Sequence, residues 1–238
     1  MKAIIGGTGV DTLDGYSLQP KQVITDYGKV EVFLGAGRYE TLVFLPRHGS
    51  QHSLPPHMIN YRANVAALRQ LGVEEAIGIY AVGSISAKLE PGCIGLVSDF
   101  IDLSGGSRAN TFFTGGEHQV VHVAMDEVFD QTLQQRLLHL DPSLVDAGVY
   151  ACTNGPRLET KAEIRYLASL GCDIVGMTLA TEVSLLREAG TKTAALAYSI
   201  NWAAGIQHAV AFIDDAQIAR LKDRMTHLCL DALLNSSR

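Results

Sequence analysis

Short runs of aliphatic and β-branched residues alternate along this chain with segments of helical periodicity. Strand-like runs that are bounded by turn residues and followed by helical segments are typical of an α/β fold, in which helices cover a sheet. We predict strands at residues 2–5, 30–34, 42–45, 76–80, 94–97, 149–152, 173–175 and 193–200. The second and third runs flank Gly35-Ala36-Gly37-Arg38 and are expected to pair as a hairpin, which argues against a purely parallel sheet.

Helical periodicity occurs at residues 60–70, 126–140, 160–170 and 214–234. The third segment begins with Thr160-x-x-Glu163, a capping box in which each side chain bonds the free backbone N–H of the other residue. A further helix is expected after Thr178. No linker, charge block or repeat divides the chain, so we expect one domain over residues 1–238.

Composition narrows the class of protein. Of the 238 residues, 47% are hydrophobic and 18% are charged, which allows a sizeable core and is compatible with burial of part of the surface in an oligomer. A net charge of −6 without a cluster of lysine and arginine argues against nucleic-acid binding. No apolar run approaches the roughly 20 residues of a membrane span, and the four scattered cysteines favour reduced thiols in a cytoplasmic protein.

The first candidate loop, Gly6-Gly7-Thr8-Gly9, follows the first predicted strand. Glycines after a strand bring backbone N–H groups close to an anion, and Thr8 adds a hydroxyl donor. An ordinary tight turn is the alternative. A dinucleotide-binding fingerprint lacks its third glycine, since Thr12 stands there, and a phosphate-binding P-loop lacks Gly-Lys-Ser/Thr.

The second candidate is Arg47-His48, directly after the run at 42–45. A planar guanidinium fork with an imidazole donor suits an anion, although Arg47 could instead pair with a surface acid. Histidines 48, 52 and 57 share this segment, but no cysteine or acidic residue joins them and the local glycine and prolines argue against a helix. We therefore expect no metal site.

Three further loops carry candidate ligand contacts. Glu159 lies between a Gly-Pro turn and a capped helix, where it complements the helix N-terminus or accepts a hydrogen bond from a ligand. Met177, at the end of a strand, is either a core residue or a ligand contact, and Thr178 is either a helix cap or a second hydroxyl donor to the same anion. Asn201 ends the last strand, as a turn former or as a side chain that reads a purine edge with one donor and one acceptor.

Taken together, these loops resemble the trimeric purine nucleoside phosphorylases, and within them the methylthioadenosine/methylthioinosine phosphorylase branch. The resemblance covers nearly the whole chain, with the motifs in matching order and spacing. The motifs are Gly6-Gly7-Thr8-Gly9, Pro46-Arg47-His48-Gly49, Asn60-Tyr61-Arg62-Ala63-Asn64, residues 155–163 and Gly176-Met177-Thr178.

The resemblance implies a central mixed, partly barrel-like sheet surrounded by helices in three αβα layers, assembled as a homotrimer. It implies inorganic phosphate as co-substrate, with no cofactor and no metal. It assigns phosphate binding to Thr8, Arg47, His48, Ala81 and Thr178, and catalytic roles to Asn201 and His48. It assigns the nucleoside to Met177 at the ribose, to Leu158, Glu159, Asn201, Trp202 and Ala203 at the base, and to His122, across the trimer interface, and Ile213 at the 5′ position.

Three positions depart from the pattern of these relatives. Tyr80 stands where a threonine or asparagine is usual, Leu179-Ala180-Thr181-Glu182 lacks a proline, and Trp202 replaces a smaller residue. A changed phosphate contact, altered substrate choice or weakened activity follows from such departures.

The expected reaction follows from donors and acceptors. The amide of Asn201 offers the acceptor and donor that match N7–H and O6 of a departing 6-oxopurine, and Glu159 accepts from N1–H. The expected substrate is 5′-methylthioinosine. Alternatives are a general inosine/guanosine phosphorylase, a methylthioadenosine phosphorylase and a catalytically impaired nucleoside-binding protein. An NAD-dependent oxidoreductase and a nucleoside hydrolase are rivals from other classes.

Overall fold

The computed structural model describes residues 1–106, 108–116 and 121–235. The strands are β1 (Lys2–Gly6), β2 (Leu18–Thr25), β3 (Gly28–Gly35), β4 (Leu42–Pro46), β5 (Glu75–Ser84), β6 (Ile94–Asp102), β7 (Val145–Cys152), β8 (Ile174–Gly176) and β9 (Lys192–Trp202). The helices are α1 (Tyr61–Gln70), α2 (Gln131–Leu140), α3 (Lys161–Ser169), α4 (Leu179–Glu188) and α5 (Asp215–Leu234). Short 3₁₀ turns lie at Gly37–Tyr39 and Pro56–Met58.

The nine strands of the described residues belong to one mixed sheet in the order β2-β3-β4-β1-β5-β8-β7-β6-β9. Strand β5 also pairs with β9, so the last five strands close into a barrel-like ring. Strand β1 runs parallel to β4 and β5, and β5 runs parallel to β9. The carboxyl ends of these four strands therefore meet at one edge, which is where ligands bind in α/β sheets.

The core shows why the chain forms layers. Successive strand residues point to opposite faces, and Ile4 on β1 packs into one cluster with α2 and α5, whereas Ala3 and Ile5 pack into another with α1. A third cluster packs α4 against the closed part of the sheet. Helices thus cover both faces of the sheet, as the sequence predicts. No helix in the described ranges is long and apolar enough to cross a membrane.

Each of the eight predicted strands is present, and the predicted hairpin is confirmed by the antiparallel pairing of Phe33 with Phe44. The capping box of α3 is also confirmed, with Thr160 as its N-cap. The prediction that α2 begins at residue 126 is wrong. The side chain of Asp130 accepts a hydrogen bond from the Leu133 N–H, and this cap starts the helix at Gln131.

Candidate functional site

One cavity lies where β1, β4, β5, β8 and β9 end. It brings together ten of the residues predicted for the site: Thr8, Arg47, His48, Ala81, Leu158, Glu159, Met177, Thr178, Asn201 and Ala203. All five residues predicted to bind phosphate are in this set. The chain positions of these residues span 195 places, so only the sheet topology places them in one site.

Arg47 follows β4 and is held almost wholly below the surface, at 2% exposure. Its Nε and Nη2 donate to the two carboxylate oxygens of Glu182 at 2.9 and 2.8 Å. Nη1 donates to the Ile79 carbonyl at 2.7 Å and Nη2 to the Ile5 carbonyl at 3.3 Å. A guanidinium has five N–H donors, so one N–H of Nη1 remains for a ligand.

The acid paired with Arg47 is a buried one on α4, not a surface acid. Burial, the largest single cause, lowers the pKa of Arg47, but the charge and the hydrogen bonds of Glu182, with smaller contributions from neighbouring tyrosines, together outweigh it and raise the pKa above its usual value. The end of the cavity that Arg47 lines is called the anion end below. Because the charges of Arg47 and Glu182 cancel locally, this end can offer an anion directed hydrogen bonds more than net charge. A Cβ at Gly7 would lie 2.1 Å from Nη1, so the glycine loop has to be bare where the guanidinium passes.

Tyr80 does not line the cavity but lies behind Arg47. Its hydroxyl donates to Glu182 Oε1 at 2.6 Å, and the Arg47 guanidinium carbon is 4.5 Å from the centroid of its ring. Burial raises the pKa of Tyr80 well above its ordinary value, so the hydroxyl remains a protonated donor.

His48 is 6% exposed, and its Nδ1 is 2.7 Å from the Leu54 carbonyl oxygen. A carbonyl only accepts hydrogen bonds, so Nδ1 carries the proton and Nε2 is an acceptor in the neutral ring. Burial lowers the pKa of His48 to about 4, which keeps the ring neutral near pH 7. The imidazole donor expected from the sequence would require a doubly protonated ring.

Two hydroxyl groups complete the anion end. Thr8 lies in the turn after β1, and Thr178 is the N-cap residue of α4 without a side-chain cap bond. No described residue bonds either hydroxyl, so both are available to a ligand. Thr178 is thus the N-cap residue by its backbone position only. Its side chain does not cap the helix and lines the cavity instead.

The other end of the cavity carries Asn201 and Glu159. Asn201 is 5% exposed, and its Nδ2 donates to the Trp202 carbonyl at 2.8 Å. This bond leaves Oδ1 and one N–H of Nδ2, since no other described residue bonds the amide. The Glu159 carboxylate accepts from the Thr153 hydroxyl at 2.6 Å, which orients it. This end can thus offer two acceptors and a donor to a planar heterocycle.

Met177 is held between the two ends. Gly155 has φ 63°, which favours glycine, and a Cβ there would lie 2.2 Å from the Met177 sulfur. The Gly-Pro turn before α3 therefore leaves space for the thioether beside the cavity.

Three predicted contacts do not line the cavity of this chain. Trp202 ends β9 outside the lining, and Ile213 packs against the core cluster under α5. His122 is exposed in the segment between β6 and α2. Their assigned roles remain predictions.

The cavity also has apolar lining that the sequence did not single out. Val210 and Phe212, which are 37% and 56% exposed, and Pro56 line it. Phe212 forms an isolated antiparallel bridge with Asn201. The stretch after β9 lacks strand or helix periodicity, so no local signal marks it.

Neither a reactive thiol nor a metal site is found among the described residues near this cavity. Burial raises the pKa of Cys152 to about 11, so this thiol is not a nucleophile near neutral pH. Within the described ranges, no three histidine, cysteine, aspartate or glutamate side chains are grouped to hold a metal ion.

The cavity thus offers hydrogen-bond donors to an anion at one end and both donors and acceptors to a heterocycle at the other, which suits an enzyme that binds two small ligands side by side. The sequence profile of the Phosphorylase superfamily matches residues 2–235, and the chain belongs to this superfamily.

Relatives agree over most of the chain. A probable S-methyl-5′-thioinosine phosphorylase of Thermodesulfovibrio yellowstonii is 35% identical, with 98% of this chain and 96% of the relative covered. A probable 6-oxopurine nucleoside phosphorylase of Moorella thermoacetica is 43% identical over 86% of this chain and 80% of the relative. Among solved structures, methylthioadenosine phosphorylase from Schistosoma mansoni superposes with a TM-score of 0.87 at 31% identity, with 97% and 89% covered.

Proposed function

We propose that this chain cleaves 5′-methylthioinosine with inorganic phosphate, which yields hypoxanthine and 5-methylthioribose 1-phosphate. The observation that carries the proposal is that Arg47, His48 and Thr178 share one cavity with Asn201 and Glu159. A reaction between phosphate and a purine nucleoside needs both sets of groups in one place. The relatives named as S-methyl-5′-thioinosine phosphorylases support the same substrate.

In the proposed mechanism, a phosphate oxygen forms a bond to C1′ while the bond from C1′ to N9 breaks and its electron pair leaves with the base. Positive charge develops on the sugar, and the bound phosphate stabilises it. The Thr8 and Thr178 hydroxyls and the last N–H of Arg47 orient the phosphate. The hydrogen phosphate loses its proton to water as the new bond forms, and the leaving base takes a proton from water at N7, where Asn201 Oδ1 accepts the hydrogen bond from it. The proposal requires neither a cofactor nor a metal.

The amide of Asn201 supports a 6-oxopurine. With Nδ2 already bonded to the Trp202 carbonyl, its second N–H matches O6, and Oδ1 matches N7–H. Glu159, oriented by Thr153, matches N1–H, which adenine lacks.

The apolar mouth of the cavity supports a 5′-methylthio group. Val210 and Phe212 offer carbon surface with no hydrogen-bonding side-chain atom for a 5′-hydroxyl. A 5′-hydroxyl that is shielded from water against this surface and has no partner costs about 1–3 kcal/mol. A general 6-oxopurine nucleoside phosphorylase is the second candidate, since one relative at 43% identity carries that name.

We also propose a cytoplasmic homotrimer in which His122 of one copy reaches the 5′ position of the next copy. His122 is exposed in its own chain and lies outside its own cavity, and Leu158 and Phe212 expose apolar surface at the cavity mouth. The free thiols of the buried Cys152, Cys172 and Cys229 favour a reducing compartment. Light scattering after size-exclusion chromatography tests the assembly, and a monomer would contradict it.

A substrate panel tests the function. The purified protein is incubated with methylthioinosine, inosine, methylthioadenosine or adenosine, each with and without phosphate, and free base is measured. We expect phosphate-dependent hypoxanthine release that is fastest from methylthioinosine. Faster release from inosine would support the second candidate, and faster adenine release would contradict the role given to Asn201. Release without phosphate would indicate a hydrolase, and no release would indicate a nucleoside-binding protein.

A further inference from the structure

Three fully buried tyrosines lie beneath the anion end of the cavity. Tyr80, Tyr150 and Tyr198 are each at most 1% exposed. A buried hydroxyl is costly unless it is hydrogen-bonded. Two of the three hydroxyls bond the backbone of residues proposed to hold phosphate, and the third bonds the carboxylate that holds Arg47.

The Tyr80 hydroxyl acts on Arg47 through Glu182. Glu182 Oε1 accepts from both Tyr80 at 2.6 Å and Arg47 Nη2 at 2.8 Å, so the two donors share one carboxylate oxygen. The Tyr80 ring also lies against the guanidinium. Removing the hydroxyl would leave Arg47 as the only donor to that oxygen, so the carboxylate would hold the guanidinium more strongly and weaken its attraction for phosphate.

The other two hydroxyls act on the backbone of the threonines. The Tyr198 hydroxyl donates to the Thr8 carbonyl oxygen, which fixes the turn that carries the Thr8 side chain. The Tyr150 hydroxyl accepts from the Thr178 N–H at 3.4 Å, a longer and weaker bond. Neither tyrosine lines the cavity.

We propose that Tyr80 and Tyr198, and to a smaller degree Tyr150, are positioning residues for the inorganic phosphate co-substrate. Tyr80 positions Arg47 by way of Glu182. Tyr198 positions Thr8, and Tyr150 positions Thr178. The proposal rests on the function proposed above, because that function makes phosphate a ligand of this end.

Tyrosine-to-phenylalanine variants test it, since they keep the ring and remove one oxygen. We expect Tyr80→Phe and Tyr198→Phe to raise the KM for phosphate about tenfold. Tyr150→Phe should raise it less than about threefold, because the 3.4 Å bond from the Thr178 N–H to Tyr150 is long and weak. The KM for the nucleoside is expected to stay within about twofold of the wild type in all three, because the groups at the purine end keep their partners.

Thr193→Val is the matched control. Thr193 is 3% exposed, and its hydroxyl donates to the Thr191 carbonyl at 3.1 Å outside the cavity, so the variant loses a buried hydroxyl bond that holds no phosphate group. Its melting temperature should fall as in the other variants while the KM for phosphate stays unchanged. A merely structural role for Tyr80 and Tyr198 would give the same pattern as this control and would overturn the proposal.

Direct binding separates this inference from the proposed function. Isothermal titration with inorganic phosphate gives a Kd for each variant without any turnover. A wild type that binds phosphate but releases no base would contradict the function only, and a raised Kd in Tyr80→Phe and Tyr198→Phe would still support the inference. Unchanged Kd values in these two folded variants would overturn the inference alone. A wild type that binds no phosphate would overturn both.

Discussion

Replacement of Asn201 by aspartate tests how the purine end of the cavity distinguishes bases. In the wild type, Nδ2 donates to the Trp202 carbonyl at 2.8 Å, and the second N–H is left for O6 of the base. A carboxylate has the same shape but no donor. O6 of hypoxanthine would then face an oxygen atom, whereas the 6-amino group of adenine would meet an acceptor.

The burial of Asn201 sets the size of the effect. A mispaired polar group in a buried site costs about 1–3 kcal/mol, and this side chain is 5% exposed. We therefore expect the ratio of kcat/KM for methylthioinosine to that for methylthioadenosine to fall roughly 5- to 150-fold in Asn201→Asp. The introduced oxygen also faces the Trp202 carbonyl, so the free energy of unfolding should fall by about 1–3 kcal/mol and Tm by roughly 2–4 °C for each kcal/mol.

The pH dependence gives a second readout. Burial raises the pKa of a carboxyl group, and a protonated carboxyl has one O–H donor where the amide has two N–H donors, so protonation restores only part of the match to O6 and the Trp202 carbonyl. The change in the ratio should therefore grow as the introduced group ionises, between about pH 6 and pH 9. The assay is the rate of base release from each nucleoside at saturating phosphate across this range.

Asn60→Asp is the control for the chemical change itself. Asn60 also donates through Nδ2 to a carbonyl, that of Tyr27 at 2.7 Å, and its Oδ1 caps α1 outside the cavity. In Asn60→Asp, the ratio of kcat/KM for methylthioinosine to that for methylthioadenosine should equal the wild-type ratio. If folded Asn201→Asp also keeps the wild-type ratio at every pH, the argument from donors and acceptors is refuted.

Three further predictions concern other parts of the cavity. Arg47→Lys keeps a charge but loses the fork that spans Glu182, so the KM for phosphate should rise roughly 10- to 150-fold; a wild-type value in steady-state kinetics would contradict this. The lowered pKa of His48 makes its protonation unfavourable in the folded state, so stability is full above about pH 6.5 and falls by up to about 3 kcal/mol as pH drops towards 4. Urea unfolding at several pH values should show this fall in the free energy of unfolding. If a His48→Gln variant showed the same pH dependence, the effect would belong to another group. Phe212→Ala should raise the KM for methylthioinosine roughly 5- to 30-fold and leave that for phosphate unchanged, since about 1–2 kcal/mol of apolar contact is lost; equal effects on inosine would exclude a contact with the methylthio group.

Local sequence signals predict the interior strands of the sheet well and the edge strand β2 poorly. Residues 42–45 are aliphatic or aromatic on both faces, because β4 is buried between β3 and β1. Strand β2 is absent from the prediction because it is the sheet edge, with mostly exposed polar residues and Pro20 within it. An edge strand needs only one apolar face, and a proline there disrupts no central ladder.

The site divides in a similar way. Arg47, Thr178 and Asn201 could be predicted as site residues, because they lie at or just after strand ends and these ends converge at one edge of the sheet. The partner of Arg47 could not be predicted, since Glu182 lies 135 residues away and only the fold places the two side chains together. The position of Tyr80 behind Arg47 depends on the same packing, and residue identity alone marks it only as unusual.

The proton on His48 Nδ1 has a consequence for anion selectivity. The Leu54 carbonyl fixes this tautomer, so the remaining nitrogen can receive a proton but has none to give. Hydrogen phosphate carries an O–H that can meet this nitrogen, whereas sulfate at neutral pH is fully deprotonated and presents only lone pairs. Under the proposed function, a single backbone contact behind a histidine would thus let the protein tell apart two tetrahedral dianions of nearly equal size.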